Sequence, residues 1–462
     1  MKKRLIALML VAVTTVSLAG CGKRTAGDKD SSSEVSADKI IRVGWYNAWY
    51  LPSDYYDEIF ENFQTAYPDY KVERTEVTST TELMAQIQSG TQPDVWLGGD
   101  PNTTNLTVGY YEGMFQCLDD YLNNDPDVNF DTLNPEHMKL TKFNDKCYAL
   151  PVWVTQQCLI YNKKLFAEAG LDPEHAPETW SEWYDYIKLL TKYDSNGFIT
   201  QLGVENGPWV YQLENSNGTA GTFKEDRISS NYDSDWGLQL VEFVDKVGAI
   251  TEGKQGASGT DFSINKGNVA MRVHDFQALS DIDLPRDEFG IAYLPKPDGV
   301  EENYIPSLLF YFLSIPTGCK NPDGGWLFAK YIMTEGMYQM NADDYMEKPL
   351  DYIPGQLSHT PTRERVYKEM VTNLSDTTKA FIEKRDELEF GAAVAVENYS
   401  PIQSTYFEIM DKWQEKKSNG EVGTKEALMG IYTEYQAQLE TWKQQQEAKG
   451  WKFPEGQEAI AP

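Results

Sequence analysis

The sequence predicts an α/β fold with a largely parallel sheet, and three observations predict it. β-rich runs alternate with amphipathic helical runs from residue 40 onward, the helical runs carry recognisable start and stop residues, and Gly- and Asp-bearing loops follow the strands. Ile40-Ile41-Arg42-Val43 opens as a short strand. DYYDEIFENFQTAYPDY then places Ile59, Phe60 and Phe63 at helical spacing and stops at Pro68. Lys71 to Val77 alternates as a strand. TELMAQIQSGTQPDVWL gives a helix through Leu83, Met84 and Ile87, a stop at Gly90 and a strand from Asp94 to Leu97.

In such sheets ligands sit past the carboxyl ends of strands, where loops lead into helices. Two stretches hold that position. One is the segment 44–56, GWYNAWYLPSDYY, with Trp45, Tyr46, Trp49, Tyr50, Tyr55 and Tyr56; the other is Gly98-Gly99-Asp100. A strand–strand–helix–turn–helix run comes after Lys146, in which Thr179 to Glu182 has the form of a helix amino terminus ahead of a Trp183/Ile187/Leu190 stripe. A second α/β region extends to about residue 289, with FGIAYLPKP as a further strand. After residue 336 the chain reads as mostly helical, and the tail 451–462 as weakly structured.

The totals set limits. A length of 462 residues favours two or three domains, and 13% aromatic residues, mostly Tyr and Trp, suit surfaces that are alternately wet and covered. With 41 basic against 71 acidic side chains, a net of -30, the chain lacks the positive field that nucleic acid requires. The first residues combine a basic cluster (Lys2, Lys3, Arg4), a short apolar run and Leu18-Ala19-Gly20-Cys21. That layout fits a secretory signal over residues 1–20 and resembles a lipoprotein signal, which implies cleavage before Cys21 and lipidation of its thiol and amine. A plain signal peptide with a chance Cys is the alternative. Residues 21–39 have too little apolar surface to order themselves and read as a tether. The expected location is outside the cytoplasm, lipid-anchored to the outer face of the cell membrane. Cys117, Cys147, Cys158 and Cys319 form no CxxC, so no metal or other cofactor is expected, while disulfides and buried thiols both stay open.

Four stretches together carry a family resemblance: FENFQTAYPDYKVE, LMAQIQSGTQPDVW, the block YALPVWVTQQCLIYNKKLFAEAGLDPEHAPETWSEW, and INKGNVAMRVHDFQALSDI followed by FGIAYLPKPDG. In order and spacing they resemble the extracellular solute-binding proteins of bacterial ABC transporters, in the carbohydrate-binding family 1 that includes the maltose-binding group. The resemblance implies a periplasmic-binding-protein-like type II fold, with two α/β lobes joined by crossover hinge segments. It implies a first lobe of 40–152 plus 290–335 and a second of 153–289 plus 336–450, with a helical carboxy-terminal part longer than the family's. It further implies an interlobe cleft, a carbohydrate as ligand, ABC permease subunits as partners, and no catalysis. A monomer is expected.

A sugar site needs flat apolar surface for C–H faces and carboxylates or amides for hydroxyls. On that basis Trp45, Trp49 and Tyr50 are candidate stacking plates, against the alternative that Trp45 or Tyr46 packs under the first helix. Asp100 is a candidate hydroxyl acceptor, or a helix cap. Trp153 and Gln156 lie where the chain first crosses between lobes, and Trp209 lies in a second-lobe loop. Asp275 and Phe276 come after the Ala-Met strand at the cleft edge, while the adjacent His274 reads as structural. Tyr311 shares LLFYFLSIP with Phe310, and one of the two is expected in the core, since strand neighbours face opposite sides. Competing readings are a polyamine or ferric-ion binding protein, a secreted glycan-active enzyme, and an anchored adhesin. Against hydrolysis, the chain has no HExxH, GxSxG or P-loop and only four His.

Overall fold

One 13-residue strand, Leu150–Asn162, organises the molecule by pairing along its length with partners from three distant parts of the chain. The computed structural model describes residues 36–46, 53–99, 105–126, 133–205, 235–251, 254–256, 259–336, 360–369, 371, 374–391, 393–397 and 401–453. All of them fall in one compact unit.

Among the described residues eight strands make the main sheet: β1 Ile40–Trp45, β2 Lys71–Glu76, β3 Val95–Gly99, β4 Leu150–Asn162, β5 Met271–Asp275, β6 Phe289–Ala292, β7 Tyr304–Ser314 and β8 Ala393–Glu397. Strands β2, β1 and β3 are parallel, as βαβ crossovers require. β3 then meets β7 antiparallel (Gly99 opposite Tyr311), and β7 runs antiparallel to the first half of β4 (Leu313 opposite Leu150). The second half of β4 pairs antiparallel with β5 (Gln157 opposite Asp275) and with β6 (Ile160 opposite Ile291), while β8 runs parallel to β7. The parallel expectation therefore holds for the opening strands and for the β7–β8 pair, and fails where β4 and β7 meet their other neighbours. Long strands that pass from one half of the sheet to the other enter against their neighbours.

The local signals act as the residues dictate. In the helix Ser53–Ala66, Ile59 and Phe63 are fully buried. The helix Thr80–Ser89 is capped by Ser79, whose hydroxyl accepts from Glu82 N–H at 3.1 Å, and ends at Gly90 in the left-handed region. Thr179 likewise caps Trp180–Leu190 through Glu182 N–H.

Three cores result. The central one takes Val43, Trp45, Phe63, Leu150, Ile160 and Phe289 from one side of the joined sheet. Leu159, Tyr161, Trp183, Leu240 and Tyr435 form a second. Trp96, Tyr110, Phe115, Val154 and Phe312 form a third.

One further expectation changes, and the open state of the cysteines is resolved. Trp451, expected in a loose tail, is 6% exposed and lies against Tyr111 with ring centroids 4.7 Å apart. The four body cysteines are free thiols. Burial pushes Cys147 up to about 12 and raises Cys158 well above the ordinary thiol value, so neither is a nucleophile at neutral pH. Among the described residues no helix is long and apolar enough to cross a membrane.

Candidate functional site

The carboxyl ends of β1 and β3 lie side by side: Tyr46 N–H donates to Leu97 O at 3.2 Å. Beyond them β7 brings Tyr311 opposite Gly99, and β4 brings Trp153 opposite Tyr311. Four residues further along β4, Gln157 stands opposite Asp275 at the end of β5. At about 3.3 Å per residue, these two groupings are roughly 13 Å apart along one strand. Glu205, the last described residue before Trp209, donates its N–H to Met271 O at 2.8 Å, at the opposite end of β5 from Asp275.

Not every candidate faces outward. Trp45 is 2% exposed, edge-on to Phe60 at 5.1 Å and to Phe328 at 6.4 Å, so its ring is core and not a plate. Residues on β1 alternate sides, and the side Trp45 takes is the one covered by the helices 53–66 and Pro322–Tyr331. Phe276 is 1% exposed and Tyr311 2% exposed, both within the central core, which corrects their reading as ligand contacts. The Tyr311 ring closes over Gly99, where a Cβ would sit 2.0 Å from it, and the Phe312 ring does the same over Gly98. The Gly98-Gly99 pair thus makes room for two cross-strand aromatic rings. Gln156 is also buried, while its neighbour Gln157 is half-buried beside Asp275.

Trp49, Tyr50, Asp100 and Trp209 lie outside the described residues, as does the side chain of Trp153, whose backbone is placed in β4. Cys21 also lies outside them. His274 is buried and its carbonyl accepts from the Cys158 thiol at 3.4 Å, a structural arrangement.

The Asp275–Gln157 pair is the polar feature of this region with a perturbed group. Burial pushes the Asp275 carboxyl up to about 6, and a hydrogen bond from Gln157 together with the nearby Arg272 charge opposes that rise. A half-buried carboxylate and amide can divide the donor and acceptor of a hydroxyl between them. Sequence reasoning selected Gln156 and missed Gln157. The available signal was strand alternation, since only one residue of a Gln-Gln pair can lie on the face of the sheet that carries Asp275.

The raised pKa has a sign. Folded Asp275 takes its proton near pH 6, whereas an unperturbed Asp does so near 3.8, so its ionised form destabilises the fold. Stability drawn from this group rises as pH falls from 7 through 6 towards 4. Asp275→Asn should then be more stable than the parent at pH 7.5, with an advantage that shrinks through pH 6 and pH 5 and is lost only below about pH 4. Urea melts of both proteins at pH 7.5, 6 and 5 check this, and a constant difference across pH would contradict it.

Known proteins resemble the chain in both sequence and fold. A family model described as bacterial extracellular solute-binding protein matches residues 50–339. A multiple sugar-binding protein of Streptococcus mutans is 28% identical over 193 residues, 41% of this chain and 40% of that protein. The diacetylchitobiose binding protein DasA of Streptomyces coelicolor is 26% identical over 195 residues, 41% of this chain and 43% of the relative. The matched segments thus span less than half of these relatives. Among solved structures, the sugar-binding protein MalE from Xanthomonas citri superposes with a TM-score of 0.63 at 16% identity, covering 88% of this chain and 99% of that one. A Listeria monocytogenes ABC substrate-binding protein in complex with cycloalternan gives 0.60 at 18% identity, covering 87% and 98%. These likenesses show the type II fold with two α/β lobes.

Proposed function

Because this chain belongs to the bacterial extracellular solute-binding protein family, whose members bind solutes and do not transform them, we propose that it captures an oligosaccharide between two hinged lobes and hands it to the permease of an ABC importer. The observation that carries the reading is that the relatives it matches include sugar-binding proteins, while Asp275 and Gln157 offer a paired acceptor and donor beside the shared strand. Trp49, Tyr50, Trp153 and Trp209 supply the flat surfaces, and Asp100 a further acceptor. Gln156, being buried, is not counted among the ligand contacts. Lipid on Cys21 holds the body at the outer face of the membrane as a monomer.

On this reading the hinge runs through β4 and returns between residues 293 and 303, which the pairing of β6 with the second half of β4 supports. A third crossing comes after β8, which pairs with β7. These boundaries refine the lobes of 40–152 plus 290–335 and 153–289 plus 336–450. Ligand that prefers the closed arrangement shifts the population by its differential affinity and by no more.

The test is a thermal-shift screen against mono- and oligosaccharides, with a polyamine and ferric ion in the panel. A true ligand at a hundredfold excess over Kd stabilises by about 2.7 kcal/mol. An oligosaccharide should give such a shift and be recovered uncleaved. A shift with polyamine or iron alone would replace this reading.

A further inference from the structure

The carboxy-terminal helix Thr424–Ala448 touches two of the three cores, and it lies wholly beyond the family match, which ends at residue 339. Its 25 residues span about 37 Å at 1.5 Å each. Along one face run Ala427, Ile431, Tyr435, Leu439, Trp442 and Gln446, spaced four, four, four, three and four, a single stripe. The first four are buried, and Ile431, Tyr435 and Leu439 belong to the core of Trp183 and Leu240, where Tyr435 sits 5.0 Å from the Tyr406 ring. The far end leaves that core. Trp442 stands edge-on to Tyr111 at 4.8 Å, in the core of Trp96 and Phe312.

A short terminal segment fixes that end. Gly450, at φ 102, turns the chain where an L side chain would be strained, and Trp451 N–H donates back to Gln446 O at 3.2 Å. Trp451 then packs on Tyr111 at 4.7 Å and Tyr110 at 5.4 Å, and Phe453 on Tyr111 at 6.1 Å. Glu112 accepts from Lys449 Nζ at 2.6 Å and from the buried Gln446 amide at 3.4 Å.

We propose that this helix and its aromatic clasp are a strap between the lobes, which limits how far they separate and so sets the open–closed balance. Strand β4 also joins these two cores, giving Val154 to one and Leu159 and Tyr161 to the other, and a strand bends, whereas a helix pinned at both ends transmits a displacement along its length. Hinge motion must therefore rotate the clasp about Tyr111 or break it. A distance measurement without ligand needs only the two-lobe fold, whereas an affinity measurement rests on the carbohydrate reading.

The experiment places a fluorophore pair at Gln88 and Leu189, exposed positions on helices that cover the two cores, and records the transfer-efficiency distribution of the full chain without ligand. Trp451→Ala/Phe453→Ala should broaden that distribution and shift its mean, and should change the affinity for the carbohydrate found in the screen by about fivefold or more. Lys449→Glu, which leaves the aromatic core whole, should move the distribution in the same direction by less, and Glu112→Lys/Lys449→Glu should move it back. An unchanged distribution in both Trp451→Ala/Phe453→Ala and Lys449→Glu, with only a lower melting temperature in the former, overturns the strap and leaves Trp451 as cover for one core. If the distribution responds while no carbohydrate binds, the strap stands and the ligand assignment fails.

Discussion

Asp94→Ala should destabilise the protein by about 3–5 kcal/mol, read as a lower urea midpoint at unchanged slope. The Asp94 side chain is fully buried and accepts four hydrogen bonds. Arg42 N–H donates to Oδ2 at 2.8 Å and the Arg42 guanidinium to the same oxygen at 3.4 Å, while Lys320 N–H and Asn321 N–H donate to Oδ1 at 3.0 and 2.8 Å. One carboxylate thus holds the start of β3 to β1 and to the amino terminus of the helix Pro322–Tyr331. Alanine leaves those donors facing an apolar void, and each buried donor without a partner costs about 1–3 kcal/mol. Asp94→Asn is little better, since its NH₂ would point at donors. The exposed Arg74–Asp57 pair, 2.9 Å long, is the control: Asp57→Ala should cost under about 1 kcal/mol. Because a domain is stable by only about 5–15 kcal/mol, equal losses at the two sites would refute the hub.

Trp45→Ala should cost about 3–5 kcal/mol and leave the affinity of the folded fraction for carbohydrate unchanged. The indole fills a gap beside Phe60 and Phe328, and removing it opens a cavity that these two stacked rings cannot close by small rotations. Trp49→Ala is the informative partner, as it should weaken carbohydrate binding with little effect on the melting temperature. Measuring both by calorimetry and thermal melting separates core from plate. Should Trp45→Ala lose affinity at full stability, the assignment of the first loop would have to be reversed.

These two residues show what the sequence disclosed. The strand–helix periods of residues 40–97, the cap at Thr179 and the stop at Gly90 were legible, because each depends on neighbours within a few positions. The Asp94 hub was not, since two of its donors come from residues more than two hundred positions later and no local pattern marks them. Nor was the orientation of Trp45. A strand residue faces one of two sides, and which side is covered depends on helices placed by the whole sheet. The reversal of strand direction at β7 was hidden for the same reason, since β7 and β4 look alike in composition whichever way they run. Phe276 and Tyr311 were drawn towards the cleft by their chemistry, yet large rings, one just past the end of β5 and one within β7, are needed here as core filler.

The pairing of β3 with β7 bears on how the chain comes into being. No part of the first sheet from β3 outward can be completed until Ser314 has been synthesised, and the Asp94 hub waits for Asn321. High sequence separation between partners slows folding, because loop closure must precede any reward from contact. For a family whose members work outside the cytoplasm, slow assembly is an advantage. A polypeptide that cannot finish its core early stays loose enough to thread through a secretion channel, and matures only on the far side.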